Sequence, residues 1–190
     1  MQPNPFNNII AMPARPILET YWVIPARFLA GEYPGVTFSP EVTRRRLNAF
    51  LNAGFDTLIN LTGEGEVEDY AGSLRELALA RGQTVECMRF PIGDFGLPSF
   101  KAMTEILDAI DAALARGRKV YVHCYGGIGR TGTTVGCYLV RHGHSGQQAL
   151  QQLAIWWQVV PKSARFPHSP ETFQQEKFVL DWAGAEKMSL

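Results

Sequence analysis

The stretch from Lys119 to Val140 constrains this chain more than any other. The strand-like run Lys119-Val120-Tyr121-Val122 leads into His123-Cys124-Tyr125-Gly126-Gly127-Ile128-Gly129-Arg130-Thr131-Gly132, and a helix-like run from Thr133 to Val140 leads out. The outgoing run is apolar almost all round (Val135, Cys137, Tyr138, Leu139, Val140), so it reads as a buried central helix. Strand, glycine-rich loop and helix together build an anion site from backbone amides. A cysteine inside such a site is expected as a thiolate, and a thiolate is a nucleophile.

The flanking sequence alternates strand and helix signals. Short strands are expected at Thr20 to Ile24 and Arg27 to Ala30, a helix at Glu41 to Ala53 stopped by Gly54, and a buried strand at Thr57 to Leu61. Gly63 to Asp69 is an acidic loop, Tyr70 to Arg81 a second helix, and Thr84 to Phe90 a third strand-like run. Ser99 reads as the N-cap of a helix with Ala102, Ile106, Leu107, Ile110, Ala113 and Leu114 at helical spacing. Ser145 with Gln148 forms a capping-box pattern before a helix ending near Trp156-Trp157. A last helix is expected to start with Ser169 as cap and Pro170 in the first turn, and to run to about Trp182. This order predicts an α/β fold: one domain, a central, mostly parallel twisted sheet, and helices on both faces. Ligands of such sheets sit outside the carboxyl ends of the strands. There the loops Thr62 to Asp69, Pro91 to Pro98 and Cys124 to Arg130 bring together carboxylate, thiol and guanidinium.

Length and charge narrow the function. The 190 residues suit one domain, with 1–16 as a loose arm and 17–190 as the folded unit. Lys+Arg and Asp+Glu both number 18, so no charge excess points to nucleic acid or an anionic membrane. No apolar run has membrane-spanning length, and the start lacks the basic and apolar regions of a signal peptide. Three cysteines without framework spacing argue against a disulfide scaffold, and Cys87 and Cys137 read as core. The expectation is a cytoplasmic monomer without metal or cofactor.

Amides from Tyr125, Gly126, Gly127, Ile128, Gly129 and Arg130 can surround a phosphoryl group, with glycines allowing close approach. Arg130 adds a fork that grips two oxygens. Cys124 can then attack phosphorus and form a cysteinyl-phosphate. Thr131 can donate to the sulfur as it leaves, and His123 braces the loop. Asp94, between Gly93 and Gly96 on a strand-to-helix loop, is the candidate general acid and base. Gln175 is a candidate for positioning water. Glu64, Glu66, Glu68 and Asp69 read as a solvated face from which one carboxylate can touch Arg130 or substrate. Arg44-Arg45-Arg46 reads as solvated helix surface, Trp156 and Trp157 as packing, and Tyr70 and Phe95 as flanks for a substrate ring.

His-Cys, five residues, then Arg-Thr-Gly resembles the signature of the cysteine-based protein tyrosine phosphatase superfamily, and the Asp94 loop resembles its mobile acid loop. Length and spacing are most similar to the small atypical dual-specificity phosphatases, from about Tyr21 to Trp182. The resemblance implies their fold, and the roles of nucleophile for Cys124, phosphate ligand for Arg130, acid/base for Asp94 and sulfur partner for Thr131. It also implies a phosphorylated protein or peptide as partner and substrate.

Specificity follows from what the loop lacks. Tyr125, Gly126, Gly127 and Ile128 are uncharged where phosphoinositide phosphatases carry lysines, and the neighbouring acidic loop disfavours polyanions. Phosphotyrosine is therefore the expected substrate, with phosphoserine and phosphothreonine admitted by a shallow pocket. The alternatives are a phosphatase of small metabolites or phosphoinositides, a phosphate-binding module without turnover, and a thiol redox or arsenate-reducing role.

Overall fold

The computed structural model describes residues 12–188, with side chains to residue 183. The elements in chain order are β1 (Thr20–Ile24), β2 (Phe28–Gly31), α1 (Pro40–Asn52), β3 (Thr57–Asn60), α2 (Ala71–Leu79) and β4 (Glu86–Arg89). They continue with α3 (Phe100–Ala115), β5 (Val120–His123), α4 (Gly129–Arg141), α5 (Gly146–Trp157), a 3-10 turn at Pro161–Ala164 and α6 (Phe173–Met188). The five strands form one sheet in the order β1-β2-β5-β3-β4, with β1 antiparallel to β2 and the other pairs parallel. The α/β fold expected from the alternation is the observed one.

Residue alternation along the strands separates two cores. Leu29, Leu58 and Tyr121 face α1 and α2, joining Leu47, Phe50, Phe55 and Leu74. Phe28, Ala30, Ile59, Val120 and Val122 face the other way, into the core of α3, α4, α5 and α6. Both faces of β2, β3 and β5 are buried, which is why these strands carry so little polarity. In α3 the buried stripe is Met103, Ile106, Leu107, Ile110 and Ala113, while Ala102 and Leu114 are half-buried at its margins. Ser99 caps it through Ala102 N at 3.1 Å, and the Ser145–Gln148 capping box is present.

Helix α4 is buried from Gly129 to Val140. Gly129, Gly132 and Gly136 lie on one of its faces, and each meets the C-terminal segment. A Cβ there would lie 2.7 Å from Gln175 Oε1, 2.4 Å from Ser169 Oγ and 2.7 Å from Val179 Cγ2, respectively. The glycine seam brings α4 and α6 into close contact.

The start of α6 corrects the expectation. Ser169 is not its cap, because the Ser169 hydroxyl donates to Ile128 O at 2.8 Å. The helix begins at Phe173, after a reciprocal cap. Gln175 N donates to Thr172 Oγ1, and Thr172 N donates to Gln175 Oε1, both at 3.2 Å. This is the Thr-x-x-Gln form of the capping box. The helix also continues past Trp182 to Met188. Of the expected arm, residues 1–11 lie outside the described residues. Pro13 O accepts from Trp22 Nε1 at 2.8 Å, and Arg15 donates to Thr20 O and Val159 O.

Candidate active site

The strand register places Gly31, His123, Asn60 and Arg89 level at one edge of the sheet. Cys124 is the next residue after β5, and its side chain is 2% exposed. The loop that follows turns its carbonyls outward. Tyr125 O accepts from Tyr33 N (2.9 Å), Gly126 O from Lys162 Nζ (3.2 Å), Ile128 O from Ser169 Oγ (2.8 Å) and Gly129 O from Thr133 Oγ1 (2.9 Å). A trans peptide sets N–H opposite C=O, so the amides that follow point inward. Gly127 N already donates to Cys124 Sγ at 3.3 Å. Gly127 requires glycine twice over. Its φ is +76°, and a Cβ would lie 2.4 Å from the Gly31 carbonyl carbon.

His123 is fully buried behind the loop. The Cys124 carbonyl can only accept, so His123 Nδ1–H donates to it at 3.0 Å. Neutral Nε2 then accepts from the Tyr70 hydroxyl at 2.7 Å. Burial pushes the imidazole down to about 4, opposed by the bond to Cys124 O and reinforced by Arg89 and Arg130. The unfolded chain therefore binds the proton more tightly. This stability is fully present above pH 6.5 and is lost as pH falls from 6.5 toward 4. The loss is roughly 3 kcal/mol at 1.36 kcal/mol per pH unit. Denaturant melts across that window should show it. A midpoint that does not move between pH 6.5 and 4.5 would refute a neutral, buried His123.

Arg130 is 2% exposed and fully engaged at both terminal nitrogens. Nη1 donates to Glu66 Oε2 (2.7 Å) and Ile92 O (3.0 Å), and Nη2 to Glu66 Oε1 (2.6 Å) and Asp94 Oδ1 (2.9 Å). Burial opposes the guanidinium charge, but the Glu66 bond and the charges of Cys124, Glu66 and Asp94 raise its pKa. The Arg130 hydrogen bond in turn holds the Glu66 carboxyl below the usual carboxylate range. Glu66 is thus the acidic-loop residue that reaches Arg130, and the sequence left the choice among the acids open.

Asp94 lies in a turn closed by Gly96 N donating to Gly93 O at 2.9 Å, with its carboxylate 60% exposed. Gln175 is buried, and its Nε2 donates to Gly96 O at 3.2 Å. Its carboxamide therefore ties the Asp94 loop to the α6 cap. Glu171 also lines the cleft, its carboxyl raised by burial and by Asp94. The Thr131 hydroxyl donates to Gly31 O at 3.4 Å and not to the sulfur. Phe95 and Tyr125 are exposed beside the cleft, but Tyr70 is buried under His123 and flanks no substrate ring. Glu32, just past β2, gathers Arg46 (2.8 Å) and Lys162 (2.5 Å), so Arg46 is not solvated surface and Lys162 is fixed against the loop. Burial pushes the Cys87 thiol up to about 11, which makes it a poor redox partner for Cys124.

The cleft over Cys124, bounded by Asp94, Phe95, Ile128, Arg130 and Glu171, has about 20 Å³ of free space. That is room for roughly one water, and less than a phosphate needs. Among the described residues no three His, Cys, Asp or Glu side chains are grouped to hold a metal, and no helix is long and apolar enough to cross a membrane.

Known proteins resemble this chain in sequence and in fold. The family described as "Polymorphic toxin system, DSP-PTPase phosphatase" matches residues 36–144. The mouse protein tyrosine phosphatase domain-containing protein 1 is 35% identical over 105 residues, which is 50% of this chain and 14% of that protein. The chain thus matches only a small part of that relative's length. The structure of Tk-PTP in its active form superposes with a TM-score of 0.67 at 24% identity, covering 87% of this chain and 97% of the other. The structure of PTPMT1 in complex with PI(5)P gives 0.66 at 18% identity, covering 90% and 99%. Such distant likenesses establish the fold. With the Cys124 loop, its arginine and the family match in hand, this chain belongs to the DSP-PTPase phosphatases, within the cysteine-based protein tyrosine phosphatase superfamily.

Proposed function

We propose that the chain is a metal-independent protein phosphatase acting on single phosphomonoesters, phosphotyrosine first. The outward carbonyls of the Cys124 loop carry this reading, because they leave a ring of amides around the sulfur. Arg130 Nε makes no hydrogen bond among the described residues, and its outer Nη2–H is held by Asp94. An arriving phosphate takes these two donors and displaces the Asp94 carboxylate. Glu66 keeps the remaining edge of the fork in place.

Displaced from Arg130, Asp94 can turn to the leaving oxygen. Released from Arg130 and open to solvent, the Asp94 carboxylate first takes up a proton; Cys124 Sγ then attacks phosphorus, the ester P–O bond breaks, and Asp94 passes that proton to the departing oxygen. Water then attacks the cysteinyl-phosphate, Asp94 takes its proton, and the S–P bond breaks to regenerate thiolate and release phosphate. Thr131 assists this last step if its hydroxyl rotates from Gly31 O to the sulfur. Gln175 contributes by fixing the acid loop. A working thiolate suits a reducing compartment such as the cytoplasm.

Charge favours a single phosphate. Arg130 is the one cation lining the cleft among the described residues, and Asp94, Glu66 and Glu171 surround it. A polyphosphorylated headgroup would bring further negative charge against three carboxylates with one guanidinium among them. The test is initial rates with a chelator present on phosphotyrosyl, phosphoseryl and phosphothreonyl peptides and on phosphoinositide vesicles. Peptide turnover should dominate, and Asp94→Ala should lower kcat about 10²–10⁴-fold. Faster turnover of the phosphoinositide would overturn this substrate class, and no turnover of any ester would leave only a binding module.

A further inference from the structure

A cavity of about 360 Å³ opens between α1 and α2, away from the nucleophile. It lies at the same end of the sheet, because Tyr33 follows β2 and Glu68 to Tyr70 follow the β3 loop. Its floor is apolar, with Tyr33, Tyr70 and Leu77 all buried. Its rim is acidic, with Glu41, Glu68 and Glu76 facing a single cation, Arg44. Asp69 lines it too, but its carboxylate is engaged by Ala71 N at 3.1 Å and Arg89 at 3.6 Å. The carboxylates of Glu41, Glu68 and Glu76 have no hydrogen bond or ion pair among the described residues. Burial first, then Glu68 and Asp69, push the Tyr33 phenol up to about 12, with Arg89 opposing.

This combination selects a long apolar stem with a cationic end. The stem covers the tyrosine faces, and the charge meets the rim carboxylates. A neutral ligand would gain nothing from the rim, and an anion would be repelled by it. The cavity is also tied to the phosphate site. Tyr33 N donates to Tyr125 O, the Tyr70 hydroxyl donates to His123, and the loop carrying Glu68 to the cavity carries Glu66 to Arg130. The phosphate site and the cavity thus share the loop from Glu66 to Tyr70.

We propose that the α1–α2 cavity is a subsite for an arginine or lysine side chain of the phosphorylated segment, so that the enzyme prefers phosphopeptides with a basic residue near the phosphoresidue. The proposal rests on the protein-phosphatase reading. The test uses the whole chain and a set of phosphotyrosyl peptides in which arginine replaces alanine in turn at positions flanking the phosphotyrosine. p-Nitrophenyl phosphate, which cannot reach the cavity, is the control. At one register arginine should raise kcat/KM about tenfold, mainly through KM. The gain should vanish in Glu41→Gln/Glu76→Gln, while turnover of p-nitrophenyl phosphate stays within twofold of wild type. Both glutamates are exposed, and circular dichroism confirms folding of the variant. Peptides hydrolysed without arginine preference, or an equal preference in the variant, overturn the subsite alone. Peptides left intact while p-nitrophenyl phosphate is hydrolysed overturn the protein-phosphatase reading and the subsite with it.

Discussion

Cys124→Ser is expected to lower turnover of p-nitrophenyl phosphate by about 10⁴-fold or more, without unfolding the chain. A serine hydroxyl needs a base to become a nucleophile, and this site offers none behind it. His123 is the adjacent residue, but Nδ1 donates to Cys124 O and Nε2 accepts from Tyr70. Neither nitrogen is free to take a proton from position 124. The fold should persist, because the thiol's one hydrogen bond among the described residues is from Gly127 N, which a hydroxyl can also accept. Initial rates together with thermal melts check both halves. A variant retaining a tenth of wild-type activity would remove Cys124 from the nucleophile's role.

Arg130→Lys should be nearly as damaging, although it keeps the charge. The guanidinium meets both Glu66 oxygens, Ile92 O and Asp94 Oδ1 at once. An ammonium has no planar fork with which to span Glu66 and a phosphate together. Loss of transition-state donors should lower kcat by about 10³-fold, a loss that saturating substrate does not restore. A loss confined to KM would mean that Arg130 only gathers substrate. The melting temperature should fall too, since Ile92 O and Glu66 lose partners in a largely buried site.

Much of this architecture was legible because it is local. The strand at Thr20–Ile24, the Ser99 cap and the Ser145–Gln148 box each depend on residues close in sequence. Placement of the Cys124 loop followed from the strand–loop–helix order and the apolar helix behind it. The Glu66–Arg130 pair spans 64 positions, and nothing near Glu66 distinguishes it from Glu64 or Glu68. Lys162, 36 positions beyond Gly126, was invisible for the same reason. Two features did leave a local trace. Thr172 to Gln175 has capping-box spacing, but Ser169-Pro170 offered a stronger-looking start, and Ser169 is drawn instead to Ile128 O. Gly129, Gly132 and Gly136 recur at helical spacing, which marks a close helix contact, yet Gly129 also suits an anion loop.

The bond between Asp94 and Arg130 has a kinetic consequence. Asp94 is tethered beside the guanidinium, so it competes for that donor at a high effective concentration, of millimolar order or above. In the proposed cycle inorganic phosphate, the last product, must hold its place against an anion that never diffuses away. On the proposed mechanism, the carboxylate that protonates the leaving group also helps to clear the site. The expected result is weak inhibition by ambient phosphate, at a site whose arginine is already neutralised before substrate arrives.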